Sequence, residues 1–423
     1  MGRHKEEKKP SFNFIDLFAG IGGFHQAMRY LNGTCVMASE IDKDCQRTYS
    51  ENFPKTPLRG DIAEINLKDV PQYSVLCAGF PCQPFSKAGY QQGFKDPTKG
   101  NMFFHVMSFI RNNPDLKFII LENVRNLADK KDNWEIVKSE LKDANFIITE
   151  EPIILSPHQF GIPQVRERVY ILGIRKDIAD LDKLPASCIR LEDLHLDRWY
   201  KQCEPDSAIK MLQPSDDVSD DYIIPNELAE VLDAWEEFRI GTHLTKIGAP
   251  VWICAFGLGI DDEDEFRHTT CYYDMPKWKQ GFYDKNRQLY LQNRKFIDKW
   301  VIKYHMSDRI KLHQKFEWNL GHEDITMKET IIQVRQSGIR CKRPNYFPAL
   351  VAIVNTPIVW DDNKNSYRYI TPREASYKQS FNKRYHLVGE QKVQYRQLGN
   401  SVNVRVLKIL GQKLFELEVK DND

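Results

Sequence analysis

The sequence has no charge imbalance, no long apolar run and no paired-cysteine motif. Lys plus Arg number 60 against 59 Asp plus Glu, a formal net charge of +1. That balance excludes a protein basic throughout, although a neutral sum can hide local segregation. No apolar stretch approaches the roughly 18 residues needed to span a bilayer. The start, Met1-Gly2-Arg3-His4-Lys5-Glu6, lacks the apolar run of a signal peptide, and Glu6 stands where myristoylation wants Ser or Thr. The nine cysteines are odd in number and scattered, without a C-x-x-C pair. This pattern points to reduced thiols in a cytosolic chain, with no disulfide scaffold and no metal site. Internal repeats and low-complexity tracts are also missing. What remains is 423 residues, 41% hydrophobic and 28% charged, a composition expected of a soluble globular protein of two or three domains.

Short apolar runs alternate with amphipathic segments from Phe12 to about Arg175. Expected strands are Phe12–Leu17, Cys35–Ser39, Ser74–Ala78, Lys117–Leu121, Phe146–Leu155 and Val169–Ile174. Expected helices lie near Gly23–Leu31, Asp44–Asn52, Asn101–Asn112 and Trp134–Asn145. Such alternation predicts an α/β fold with a mostly parallel sheet covered on both faces. Residues 177–361 lose this rhythm and read as a smaller, irregular second domain. Regularity returns over 365–418, where Val402–Leu417 has helical periodicity. Residues 1–11 read as a flexible N-terminus.

Charge in the middle of the chain is uneven. Asp177–Phe238 holds 17 acidic and 5 basic residues, a net of −12, and Pro276–Lys315 holds 11 basic and 3 acidic, a net of +8. Ile331–Ala349 carries Arg335, Arg340, Lys342 and Arg343 with no acid. Trp278, Tyr283, Tyr290, Trp300, Tyr346 and Phe347 interleave with these cations, which suggests a nucleic-acid face opposite an acidic one.

Two constellations carry chemistry. Phe14-Ile15-Asp16-Leu17-Phe18-Ala19-Gly20-Ile21-Gly22-Gly23 leads from a strand into a helix, and glycines there let a ligand approach the backbone. Glu40 closes the next strand, 20 residues after Gly20, where a carboxylate can accept hydrogen bonds from ribose hydroxyls. Asp61 follows another extended piece. Together these favour an adenosine-containing cofactor over a nicotinamide dinucleotide or a nucleoside triphosphate. The second constellation gathers at strand ends: Gly79-Phe80-Pro81-Cys82-Gln83-Pro84-Phe85-Ser86, then Glu122-Asn123-Val124, then Gln164-Val165-Arg166-Glu167-Arg168. Period two puts Arg166 and Arg168 on one face. A thiol, a carboxyl group and two guanidiniums would meet at one rim.

These segments, with Gln397-Leu398-Gly399-Asn400-Ser401-Val402, resemble the ordered motif set of the DNA (cytosine-5)-methyltransferases of the bacterial restriction–modification type. The resemblance covers roughly residues 12–175 and 365–415. It implies a Rossmann-like methyltransferase domain (12–176, completed by 365–418) and a target-recognition domain (177–361). It implies S-adenosylmethionine as cofactor, leaving S-adenosylhomocysteine as product. Phe18 would stack on the adenine, Glu40 would hold the ribose, and Asp61 with Ile62 would frame the base. Ala19, Gly20, Gly22, Gly23, Ile41, Pro81, Met102, Asn400, Ser401 and Val402 would complete the pocket. One departure stands out: Ser380-Phe381-Asn382 occupies a place where the family often has Gly-Phe-Pro.

The resemblance also implies a mechanism. Cys82 as thiolate adds to carbon 6 of a flipped-out cytosine, Glu122 binds N3 and the amino group, Arg168 contacts O2, and Arg166 supports the site or the phosphate. Gln83, Ser86, Lys87 and Lys99 would contact DNA from a mobile loop. Arg335, Arg340, Lys342, Arg343 and His243 are candidates for base or phosphate contacts. The expected partner is double-stranded DNA, the expected location is the cytoplasm at the nucleoid, and the expected state is a monomer beside a cognate restriction endonuclease. Two alternatives stay open: a tRNA cytosine-5 methyltransferase of the same fold, and a catalytically inactive DNA-binding relative.

Overall fold

The computed structural model describes residues 11–81, 102–184, 188–244, 250–320, 325–350 and 356–418. The chain divides into two compact units. Unit 1 comprises residues 1–203, 349–354 and 375–423; unit 2 comprises 204–348 and 355–374.

Unit 1 begins with β1 (Phe12–Leu17), α1 (Gly23–Arg29), β2 (Gly33–Ser39), α2 (Lys43–Asn52), β3 (Leu58–Arg59) and β4 (Val75–Ala78). It continues with α3 (Met102–Arg111), β5 (Phe118–Val124), α4 (Asn126–Asp129), α5 (Lys131–Asp143), β6 (Phe146–Ile148), β7 (Ile153–Leu155), β8 (Gln164–Val165) and β9 (Arg168–Arg175). The main sheet has the order β3-β2-β1-β4-β5-β9-β6, with β7 also on β9. The first five strands are parallel, whereas β9 runs antiparallel to β5, β6 and β7. The central strands are buried throughout, which suits the unbroken apolar runs Val75–Ala78 and Phe118–Leu121. Their side chains join Leu17, Phe103, Val106, Trp134, Val137 and Ile171 in one core.

The expected strand Phe146–Leu155 is in fact two. β6 pairs with Gly173–Arg175 and β7 with Arg168–Tyr170. On β9 the four residues 149–152 therefore stand against just two, Ile171 and Leu172, and Pro152 has no amide to donate to a ladder. The first unit also extends past the expected end at residue 176. Backbone bridges Ala179–Glu418, Thr149–Ile189 and Phe160–Lys201 hold the chain to it as far as Cys203.

Unit 2 is more regular than its sequence suggests. It contains α6 (Asn226–Gly241), β10 (Val251–Trp252), α7 (Glu263–Thr269), α8 (Lys277–Lys303), β11 (Lys315–Trp318), β12 (Ile331–Arg335), β13 (Gly338–Lys342), β14 (Phe347–Pro348), β15 (Ile358–Asp361) and β16 (Ser366–Tyr369). A six-stranded sheet in the order β10-β11-β13-β12-β15-β16 packs its apolar side chains with Trp235, Phe238, Tyr290 and Trp300. The buried side of α8 runs 283, 286, 287, 290, 297, 300 and 301, a helical spacing in which two positions are Asn286 and Arg287. Those polar residues hide the helix from an apolar-pattern reading. Arg287 is buried because three backbone carbonyls and Glu263 receive its guanidinium.

The expected segregation of charge also disappears. Cations of the basic stretch pair with the acidic stretches: Arg287 with Glu263, Arg294 with Asp261, Lys303 with Glu237, and Arg309 with Glu230. Tyr283, Tyr290, Trp300 and Phe347 are core residues, and Trp278 is exposed. One basic face in unit 2 is that of β12–β13, where Arg335, Arg340 and Lys342 alternate with half-buried Val334 and buried Ile339 and Cys341.

The chain returns through α9 (Pro372–Lys378), α10 (Gln391–Asn400) and α11 (Val404–Phe415). Asn403 caps α11 by accepting from the Val406 amide at 3.1 Å. Among the described residues no helix is long and apolar enough to cross a membrane.

Candidate active site

The glycine loop after β1 turns through left-handed backbone at Phe18 (φ 56°), Gly20 (φ 54°) and Gly22 (φ 81°). The two glycines adopt it freely, whereas Phe18 is held there by the surrounding fold. The Ala19 amide donates to the Ser39 carbonyl at 2.9 Å, tying the loop to the end of β2. Glu40 then clasps it: the Gly20 amide donates to Oε2 and the Asp42 amide to Oε1, both at 2.8 Å. Burial raises the Glu40 pKa, and these amide bonds oppose the rise. Each carboxylate oxygen keeps a second lone pair for a ligand hydroxyl.

The surroundings fit an adenosine-sized group. Nothing lies within 4 Å of where a Cβ would stand on Gly20, and Ile41 leaves 65% of its surface uncovered. Asp61 uses Oδ1 to accept from Ala63 at 2.9 Å. Ile62 is buried in the core, so its backbone rather than its side chain is available to a ligand. The C-terminal segment closes the other side. A Cβ on Gly23 would stand 2.5 Å from Val402 Cγ2 and 3.3 Å from Ser401 Oγ, so that close approach requires glycine. Ser401 and Val402 are buried, Asn400 is exposed, and Pro81 and Met102 are half-buried.

Beneath the loop, Asp16 is fully buried and accepts from the His25 amide at 3.2 Å. Burial drives the Asp16 pKa well up and that of His25 down to about 3, so His25 is neutral against Tyr49.

The second part of the rim lies at the ends of β4 and β5. Glu122 is 8% exposed and meets Arg168, with Nε 3.0 Å from Oε1. Burial raises its pKa, opposed by the charges of Arg168 and Arg166. A Cβ on Gly79 would stand 3.8 Å from Glu122 Oε2, which sets the start of the Gly79–Ser86 motif beside this carboxyl group. Asn123, a motif residue with no role expected from the sequence, latches the turn by donating Nδ2 to the Phe80 carbonyl at 3.3 Å. Cys82, Gln83, Ser86, Lys87 and Lys99 lie outside the described residues.

Arg166 corrects the same-face expectation. Period two applies only within a strand, and the chain leaves β8 at Val165 before β9 begins at Arg168. The Arg166 guanidinium is buried and donates to the carbonyls of Leu350 (2.8 Å), Gly399 (2.8 Å) and Ser401 (2.9 Å). It is therefore not placed for a phosphate. It anchors the turn at residues 399–401 that packs on Gly23.

In unit 2, Arg335 and Arg340 share one carboxylate, Glu317. Burial, then the charges of Arg340 and Arg335, lowers the Lys342 pKa. Arg343 donates to the Leu320 carbonyl at 3.0 Å, and His243 is exposed.

Known proteins share both the sequence family and the fold. The family model described as C-5 cytosine-specific DNA methylase matches residues 12–416. Type II methyltransferase M.BanI of Aneurinibacillus aneurinilyticus is 32% identical over 436 residues, 96% of each chain. M.AluI of Cellulosimicrobium cellulans is 28% identical, covering 94% of this chain and 90% of that protein. The solved structure of a Spodoptera frugiperda DNMT2 mutant shares the fold, with a TM-score of 0.54 at 19% identity over 96% of this chain and 99% of that one. A family match over nearly the whole chain, with a full-length relative at this identity, places the protein in the C-5 cytosine-specific DNA methylase family.

Proposed function

We propose that the protein methylates carbon 5 of a cytosine flipped out of a specific duplex sequence, through a covalent Cys82 adduct. The observation that carries this reading is the buried Glu122–Arg168 pair beside Gly79, three residues before Cys82 in the sequence. S-adenosylmethionine, held by Glu40, Asp61, the glycine loop and Ser401–Val402, would supply the methyl group as a sulfonium electrophile.

The chain's own residues prepare the base. Carbon 5 of cytosine is a poor nucleophile. The Cys82 thiolate adds to carbon 6, and the displaced electron pair becomes available at carbon 5. Glu122, its pKa raised by burial, shares a proton with N3 as charge builds on the ring. Arg168 donates toward O2 and keeps Glu122 oriented. Loss of the carbon 5 proton and expulsion of Cys82 complete the turnover. The target base must leave the stack for any of these contacts to form. Arg335, Arg340 and Lys342 on β12–β13 are the proposed DNA contacts of the recognition unit. The name Type II methyltransferase carried by M.BanI and M.AluI favours a restriction–modification role; a monomer working beside a cognate endonuclease is the expectation that goes with that role.

The test is transfer of a labelled methyl group from S-adenosylmethionine to duplex DNA and to tRNA, followed by bisulfite sequencing of DNA from an expressing host. Label in duplex DNA within one sequence context is the expected result. Label only in tRNA favours the RNA enzyme, and none in either favours an inactive DNA-binding relative.

A further inference from the structure

Two adjoining surface grooves in unit 1 share Tyr30. One, of about 490 Å³, is lined by Arg29, Lys383 and Arg384 among others. The second, of about 370 Å³, is lined by Arg405, Lys408 and Trp199 among others. Neither lining contains a single carboxylate. Among the described residues none of the five cations forms an ion pair, whereas neighbouring Arg396 and Lys413 pair with Asp44 and Glu416. Five cations around one exposed ring, with no acid in either lining, form a distinct electrostatic feature. Lys408 Nζ lies 5.5 Å from the Tyr30 ring centroid, and the ring is 47% exposed.

The place of this surface separates it from the candidate active site. Arg29 and Tyr30 end α1 just before β2 starts at Gly33, at the amino end of that strand. Glu40 follows the carboxyl end of β2, and Glu122 lies near the carboxyl end of β5.

We propose that the paired grooves form a second nucleic-acid site, which takes the phosphate backbone of a strand and packs Tyr30 against its sugar or base. Fixed cations without acids match a regularly charged polyanion, and an exposed aromatic among them suits a nucleotide better than an acidic peptide. The site does not depend on the catalytic reading, because binding can be measured on DNA without cytosine.

The test uses the full chain and a labelled duplex of alternating dA and dT, titrated between about 50 and 200 mM salt. The variant Arg29→Gln/Lys383→Gln/Arg384→Gln/Arg405→Gln/Lys408→Gln removes the cations of the grooves. The control Lys68→Gln/Lys131→Gln/Lys138→Gln/Lys142→Gln/Lys176→Gln removes the same charge elsewhere in unit 1. Each neutralised phosphate contributes about 0.9 to the slope of log affinity against log salt. The groove variant is expected to lower that slope by roughly 2 to 4 and the affinity by at least about 10-fold, and the control much less. Thermal melting checks folding, and Lys383→Glu/Arg384→Glu on the exposed loop serves if the fivefold variant unfolds. Single-stranded RNA and polyglutamate form the other arms. A larger loss for RNA than for duplex assigns the backbone to RNA, and the reverse assigns it to DNA. Equal losses in groove variant and control overturn the proposal, as does a loss confined to polyglutamate.

Discussion

Glu122 stands between two opposed effects. Burial favours its neutral form and Arg168 favours its charged form; burial wins, and the pKa is raised above 4.5. In the proposed mechanism that balance suits Glu122 to share a proton with N3 of the base. Glu122→Gln should lower the single-turnover transfer rate about 10²- to 10⁴-fold while DNA binding persists. The same shift makes a stability prediction. Because the folded pKa exceeds the unfolded value, the favourable contribution exists below about 4.5 and is lost as pH rises through the folded pKa. Urea midpoints of wild type and Glu122→Gln should therefore agree most closely at acid pH, with the variant gaining relative stability toward neutrality. The opposite trend would contradict the account. Arg166 and Arg168, two residues apart, should behave differently. Arg166→Met orphans three carbonyls and should cost on the order of 3 kcal/mol in denaturant unfolding. Arg168→Met should lower transfer more than it lowers the melting temperature.

At the scale of elements, glycine and one serine make the contacts of the site testable. Gly79→Ala meets nothing closer than 3.6 Å and should fold normally, yet it places a methyl group against Glu122 and should slow transfer. Ser380 holds φ at 61° where the family often has glycine. Ser380→Gly should raise stability by about 0.5–1 kcal/mol in thermal or urea unfolding, since a side chain in that region costs about 1–2 kcal/mol. The alternating elements of the first unit were readable from sequence because their apolar period is regular: β1 spans the expected Phe12–Leu17, and α2 starts one residue before the expected Asp44 and ends at the expected Asn52. The break between β6 and β7 is marked in the sequence, because Thr149-Glu150-Glu151-Pro152 interrupts the apolar run and Pro152 cannot donate to a ladder. Helix α8 was not readable, because its buried side includes Arg287. The place of Glu122 beside the Gly79 turn followed from strand ends. That of Arg166 did not, because no local pattern reveals carbonyls from residues 350, 399 and 401.

Over the whole molecule, the near-neutral sum is built from ion pairs within unit 2 more than from separated faces. Removing Arg335, Arg340 and Lys342 together should weaken specific DNA binding and reduce its salt slope by about 0.9 for each phosphate no longer neutralised. Unchanged affinity in filter binding would remove β12–β13 from the interface. The central claim is a covalent route through Cys82, and it has a direct test. Fluorine at carbon 5 cannot leave as a cation, so a duplex carrying 5-fluorocytosine at the methylated position should trap the methylated adduct. Mass spectrometry of the digested complex should find one nucleotide linked to the peptide containing Cys82, with no adduct in Cys82→Ala. Continued methylation by Cys82→Ala, or linkage at another residue, would contradict the mechanism.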